Sequence, residues 1–441
     1  MPVLSPALRS ARRPAARLAV TALALTAALT TLTAPAGAHD RPASGRPCPQ
    51  LTVSTGWYGA NQARIQRLID RYGSCSPLHR DGRAAPVAVF DWDNTVIKND
   101  VGDATMFWLL RNSRIRQPEH GDWRTTSRYL TNSAADSLRA ACPDGTGRDR
   151  TLPTATDTAC ADEILSVYSE AATTSGQDAF AGYDRRTMEP SYAWLAQLTH
   201  GWTAAQVRSF AAAARAENLA APVGATQQVG STTDATGYIR YYEQQRDLIR
   251  TLRRAGFDVW IVSASPQPVV DVWARGVDVA PGNVIGIRST TERGRYTSHL
   301  SACGTARPGD DSQITYIDGK RCWINKEIFG VRGAAASRVQ DPSMRPVFAA
   351  GDSDTDVSML RDSTGLRLVL NRNKAELMCR SYDDADGKWL VNPMFIGPKG
   401  RMNGVYPCAT TGYTASDGTS RPVLRGDGSV IPDQYDTVFT G

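Results

Sequence analysis

The sequence predicts an α/β fold: a parallel sheet wrapped by helices, interrupted early by a large helical insertion and followed by an irregular C-terminal extension. Three observations predict it. Short apolar runs at 87–91, 257–263, 283–287, 347–351 and 366–370, most ending in polar, Gly or Pro punctuation, read as buried parallel strands. Stretches of helical period separate several of them. The gap between the first two runs far exceeds the roughly dozen residues that a simple crossover needs, so a separate module sits there.

In chain order, residues 1–38 read as a leader. Arg9, Arg12, Arg13 and Arg17 form a positive start, an Ala- and Leu-rich apolar stretch runs from 18 to 32, and Ala36-Gly-Ala38 fits a cleavage site. The apolar stretch is too short to span a bilayer comfortably, and Arg12-Arg13 leaves both the general and the twin-arginine export routes open. No later segment is apolar enough to span, so a soluble, secreted mature chain is expected. Residues 39–85 form an N-terminal extension, Pro-, Gly- and Ser-rich at first, then helical over 58–72 through Ile65, Leu68 and Ile69. The core is assigned to 86–103 and 245–370. Residues 104–244 form the helical insertion; within it Thr203 and Gln206 have the spacing of a capping box, and 142–160 read as a surface loop. A helix through Tyr242, Gln245, Leu248, Ile249 and Leu252 stops at Gly256. Residues 288–322 read as a hairpin or flap, and 371–441 as an irregular extension.

Charge excludes one class of function. The chain carries 50 Lys and Arg against 44 Asp and Glu. Four of the excess cations belong to the leader, leaving about +2 and no long basic run, so nothing points to nucleic acid. All eight cysteines follow the leader, fall in near-neighbour pairs and show no C-x-x-C spacing. That pattern predicts disulfides rather than zinc. Local spacing gives the pairing Cys48–Cys75, Cys142–Cys160, Cys303–Cys322 and Cys379–Cys408.

The chemistry is concentrated at strand ends. The string Val87-Ala-Val-Phe-Asp91-Trp-Asp93-Asn-Thr95 puts two carboxylates and a threonine at the C-terminal end of a strand, where open α/β sheets hold ligands. Such oxygens suit Mg²⁺, and a carboxylate can attack phosphorus. Ser263 ends the second strand; it either holds a phosphoryl oxygen or caps the next helix. Lys326 can neutralise charge on a nucleophile and its phosphoryl group, with Lys320 as its rival. Asp352, Asp354 and Asp356 crowd the turn after the fourth strand, an arrangement that suits a bound cation.

Taken in this order, the four motifs resemble the haloacid dehalogenase-like hydrolase superfamily over roughly 86–103 and 245–370. The resemblance implies a Rossmann-like core with a helical cap at the insertion. It implies Asp91 as nucleophile, Asp93 as general acid and base, and Ser263 and Lys326 as phosphoryl holders. Mg²⁺ would be held by Asp91, Asp352 and the main-chain carbonyl of Asp93, supported by Asp356, while Asn94 and Thr95 shape the loop. Asp93 favours phosphoryl transfer over dehalogenation. Within the superfamily the chain resembles bacterial exported phosphorylcholine phosphatases, through Asp100 and Asp103, Tyr238-Ile-Arg-Tyr-Tyr242, Val262-Ser-Ala-Ser-Pro266 and Asn283-Val-Ile-Gly-Ile287. The acidic turn after Gly351 is shorter and differently spaced than in that group.

That resemblance implies a small phosphate ester bearing a cation, phosphocholine first. Asp100 and Asp103 are the candidate substrate-binding acids, together with Thr95. Aromatic faces for a quaternary ammonium are sought among Phe107, Trp108, Trp123, Tyr168, Tyr192, Trp194, Trp202, Tyr241 and Tyr242. A phosphoserine or broad-specificity phosphatase, and a non-catalytic choline- or phosphate-binding protein, are the alternatives.

Overall fold

The computed structural model of the chain describes residues 47–76 and 84–439. The leader expected at 1–38, with its cleavage site, lies outside the described residues.

Six strands make one parallel sheet: β1 (Val87–Phe90), β2 (Asp258–Pro266), β3 (Val284–Ile287), β4 (Phe348–Gly351), β5 (Leu366–Asn371) and β6 (Trp389–Pro393). Their spatial order is β3-β2-β1-β4-β5-β6, and each neighbouring pair runs parallel. The chain builds outward from β1 on one side, then returns to β4 and builds outward on the other. The winding therefore reverses between β1 and β4, and in open α/β sheets the crevice for a ligand opens at such a reversal. Every residue of β1, β3, β4 and β6 is buried, which is why these segments read as continuous apolar runs rather than as alternating ones.

The helices, in order, are α1 (Asn61–Tyr72), α2 (Val101–Arg111), α3 (Asn132–Ala141), α4 (Thr158–Glu170), α5 (Pro190–Leu198), α6 (Ala204–Ala220), α7 (Glu243–Arg254), α8 (Gln267–Ala274), α9 (Asp318–Glu327), α10 (Val357–Asp362) and α11 (Ala375–Asp383). Ala88 and Phe90 point to one sheet face, against Ile65 and Ile69 of α1, Leu248 and Leu252 of α7 and Trp273 of α8. Val87 and Val89 point to the other, against Trp323 of α9, Leu360 of α10 and Leu377 of α11. The helical insertion has a core of its own, with Leu110, Leu138, Ile164 and Trp194 drawn from α2, α3, α4 and α5. The capping box at Thr203 and Gln206 is present at the start of α6. The insertion departs at Ile97–Lys98 and returns at Arg240–Tyr241, and these two short strands pair antiparallel. Residues 288–322 hold the expected ribbon, Ser289–Glu292 with Arg295–Leu300, and then the start of α9.

One expectation is corrected. The segment from 371 onward is not irregular throughout: it supplies α11 and the edge strand β6, which pairs with β5 from Arg367↔Trp389 to Asn371↔Pro393. Its apolar run is only Trp389-Leu-Val, closed by Asn-Pro, and proline is tolerated there because the strand is at the edge. All four disulfides join the pairs expected from spacing. No helix among the described residues is long and apolar enough to cross a membrane.

Candidate active site

The loops leaving β1 and β4 converge at the reversal point. The Asp91 amide still donates to the Ala350 carbonyl at 2.9 Å, so the ladder fixes where its side chain begins. Asn94 then takes a left-handed turn (φ 60°), which asparagine tolerates better than most residues, and its Oδ1 accepts the Asn99 amide at 3.0 Å. After β4 the chain folds back sharply. A Cβ on Gly351 would lie 2.6 Å from the Cβ of Asp356, so only glycine allows this turn.

Asp91, Asp352 and Asp356 each bring a carboxylate oxygen within 4.8 Å of the others, all three buried. The Thr95 hydroxyl lies 2.9 Å from Asp91 Oδ2 and 3.1 Å from Asp352 Oδ1, spanning the two. Asp356 accepts the Asp352 and Ser353 amides on Oδ2, at 2.9 and 3.1 Å, and Lys320 on Oδ1. It is thus committed to holding the turn and the lysine. Asp354 faces elsewhere and accepts the Leu377 amide of α11 at 2.8 Å. The hard oxygens of Asp91 and Asp352, so close at a ligand crevice, fit a cation such as Mg²⁺.

The lysine at this cluster is Lys320, not Lys326. Lys320 Nζ donates to Asp91 Oδ1 at 2.7 Å and Asp356 Oδ1 at 2.6 Å, wholly buried. Lys326 lies six residues further along α9, about 240° around the helix at roughly 100° per residue. Its Nζ donates to the Ala302 carbonyl at 2.9 Å and sits 4.4 Å from the Trp323 ring centroid. The helix approaches the site through Gly319, where a Cβ would meet the Ile314 carbonyl oxygen at 1.9 Å.

Burial governs the protonation of this cluster. It lifts Asp91 to about 6, with Lys320 pulling down and Asp352 pushing up. It also raises Asp352, against Arg372, and Asp356, with Asp91 adding to the rise. For Lys320, burial works downward, but Asp356 and Asp91 outweigh it and hold the ammonium well above its ordinary range. Asp93 is held well above the usual carboxylate range by burial first, then by Asp100 and Asp91. Its carboxylate is outside the three-acid cluster: Oδ1 accepts the Val101 amide at 2.8 Å and Oδ2 the Ser265 hydroxyl at 2.8 Å. Ser263 is fully buried, 3.4 Å from Asp93 Oδ2, and its Oγ accepts the Ser265 amide. Of the two, Ser265 is the one that lines the cavity.

A cavity of about 430 Å³ opens above Asp91, Asp93 and Asp352. Both Asp100 and Asp103 line it. Asp100 is the N-cap of α2, its Oδ1 accepting the Gly102 and Asp103 amides at 2.7 and 3.1 Å, and burial raises its carboxyl. Burial and then Asp100 push Asp103 up to about 8, while Tyr168 donates to its Oδ1 at 3.0 Å. Of the nine aromatic candidates only Tyr168 and Tyr192 face the cavity; Trp123, Trp194, Trp202 and Tyr242 are buried side chains. Thr95 is sealed beneath it and acts on the two aspartates. Residues that the sequence reading missed complete the wall: Tyr238, Lys98, Lys399 and Arg372, the last donating to Asp352 Oδ2 at 2.6 Å. Arg372 directly follows β5, the strand beside β4, a position recognisable only once sheet order is known.

Comparison with known proteins finds similar sequences and structures. The family model for haloacid dehalogenase-like hydrolases matches residues 148–361. A phosphorylcholine phosphatase of Pseudomonas aeruginosa is 29% identical over 207 residues, covering 42% of this chain and 56% of that relative. The match thus spans little more than half of the relative's length. A conserved Anaerococcus prevotii protein of unknown function has 18% identity and a TM-score of 0.49, over 78% of this chain and 94% of that one. A substrate-bound phosphoserine phosphatase has 12% identity and a TM-score of 0.28, over 65% and 87%. The chain has the fold of the haloacid dehalogenase-like hydrolases and resembles that family.

Proposed function

We propose that the protein is an exported, Mg²⁺-dependent phosphomonoesterase that works through an aspartyl-phosphate and favours a small cationic ester, phosphocholine first. The observation that carries the reading is Asp91 at the end of β1. It stands beside Asp352 at the winding reversal, bonded to a buried lysine and open to a polar cavity.

In the first step an Asp91 oxygen attacks phosphorus and the ester P–O bond breaks. Asp93, whose proton affinity burial and the neighbouring Asp100 and Asp91 raise, gives a proton to the departing oxygen. In the second, Asp93 takes a proton from water, which attacks phosphorus; the Asp91–phosphorus bond breaks and inorganic phosphate leaves. Lys320 offsets charge on the nucleophile, and Ser265 orients Asp93. Asp91, Asp352 and the Asp93 carbonyl would hold Mg²⁺, which supplies charge neutralisation for the phosphoryl oxygens. Positioning and charge neutralisation are most of what phosphoryl transfer needs.

Asp100 and Asp103 line the cavity with Tyr168 and Tyr192, and a bound cation would favour the ionised form of Asp103, which burial and Asp100 push up to about 8 in its absence. The helical insertion supplies Tyr168 and Tyr192 and serves as the cap. Export is supported by the leader-like start and by the absence of free cysteines among the described residues. The test is phosphate release from a panel of phosphomonoesters, with and without Mg²⁺, by the protein and by Asp91→Asn. Metal-dependent release lost in Asp91→Asn supports the reading; release by Asp91→Asn at the parent rate overturns it.

A further inference from the structure

Three cationic side chains line the cavity alongside its five aspartates. Lys98 comes from the short strand where the insertion departs, Arg372 from the end of β5, and Lys399 from the segment after β6; all three line the cavity. Lys98 Nζ reaches only the Gly397 carbonyl, at 3.4 Å. Among the described residues no carboxylate lies within ion-pair distance of Lys98 or Lys399. Arg372 commits one nitrogen to Asp352, leaving other donors of its guanidinium fork. Burial pulls Lys98 below its ordinary range, and the like charges of Arg372 and Lys399 add to the fall. Folding gains nothing from that repulsion, and the nucleophile Asp91 already has its own cation in Lys320.

We propose that Lys98, Lys399 and the free donors of Arg372 form a subsite for a second oxyanion, carboxylate or phosphate, on the ester whose phosphoryl group meets Asp91. The inference rests on the phosphomonoesterase reading above and widens its substrate class. With Asp100 and Asp103 on the same wall, the cavity suits an ester carrying both an ammonium and an oxyanion besides the phosphate.

Two matched pairs of esters test it. O-phosphoserine and phosphoethanolamine differ by one carboxylate; a hexose bisphosphate and its monophosphate differ by one phosphate. The protein is expected to show higher kcat/KM for the extra-anion member of at least one pair. In Lys98→Gln and Lys399→Gln that preference is expected to shrink by about 5- to 30-fold, the effect of one charge contact in a partly closed site. Which pair responds identifies the oxyanion. No preference in either pair overturns the inference, as does a parallel loss on both members of each pair in the lysine variants. Absence of turnover on all four esters and on phosphocholine would instead count against the phosphomonoesterase reading itself.

Discussion

Replacing Lys320 by methionine separates the two lysines of α9. Methionine keeps most of the length and fills the same buried space, but removes the ammonium 2.7 Å from Asp91 and 2.6 Å from Asp356. Two buried carboxylates are then left without their counter-ion, with Asp352 close by. Removing one partner of a buried ion pair costs about 3–5 kcal/mol, so the metal-free variant is expected to unfold at much lower urea. The sign with pH follows from Asp91. Its folded value is raised to about 6 even with Lys320 present, and it rises further without it. Between the unfolded value of about 3.9 and the folded one, the native state binds the extra proton, so stability falls as pH rises through that window. The deficit of Lys320→Met relative to the parent is therefore smaller near pH 5 than near pH 8, and Mg²⁺ restores part of it. Turnover is expected to fall on the order of 10²- to 10³-fold. Lys326→Met loses a carbonyl contact, a ring contact and a partly exposed ion pair with Glu327, worth about 1 kcal/mol, with turnover near the parent's. Urea melts at the two pH values and phosphate release on both variants decide it. Equal stability of Lys320→Met and the parent at both pH values, or inactivity in Lys326→Met alone, would refute the reasoning.

Asp93→Asn lacks the acid and base but keeps the nucleophile. Acid-quenched reactions with a good leaving group such as p-nitrophenyl phosphate are expected to trap phosphoenzyme, which Asp91→Asn never forms. Asp100→Asn preserves the cap of α2, since asparagine caps as well as aspartate, yet removes charge. Its KM for phosphocholine is expected to rise about 5- to 30-fold more than its KM for p-nitrophenyl phosphate; equal rises would remove Asp100 from cation recognition. Chelation is expected to lower the melting temperature, and Mg²⁺ at about 100 times its dissociation constant to restore roughly 2.7 kcal/mol in differential scanning calorimetry. A melting curve indifferent to both would exclude the acidic cluster as a cation site.

The reversal point was legible because its signals are local. β1 and β4 are apolar on both faces, and each ends in carboxylates within a few residues of the strand. The disulfides were legible for the same reason, since every pair closes a short stretch of chain. Lys320 was harder to place. Choosing between two lysines on one helix needs its rotational phase, which is set by the close approach at Gly319 and the bonds to Asp91 and Asp356. Ser263 and Ser265 stand two residues apart at the β2 end and both reach Asp93 Oδ2; they differ in depth, since only Ser265 lines the cavity. Arg372 and Lys399 had no local signal: they reach the cavity through strand order and through the segment beyond an edge strand hidden by its Asn-Pro ending, whereas Tyr238 stood in the Tyr238-Ile-Arg-Tyr-Tyr242 string without a role assigned to it.

The bond between Cys303 and Cys322 has a practical consequence. It ties α9 to the segment after the Ser289–Glu292 and Arg295–Leu300 ribbon, and Cys322 is only two residues from Lys320. A preparation made in a reducing cytosol lacks that tether, although the apolar sheet can still assemble. It would then present its key ammonium on a loosened helix, and its specific activity would understate that of the native molecule. Recombinant production for any assay of this protein therefore belongs in the periplasm or in an oxidising refolding buffer, with thiol titration as the check on each batch.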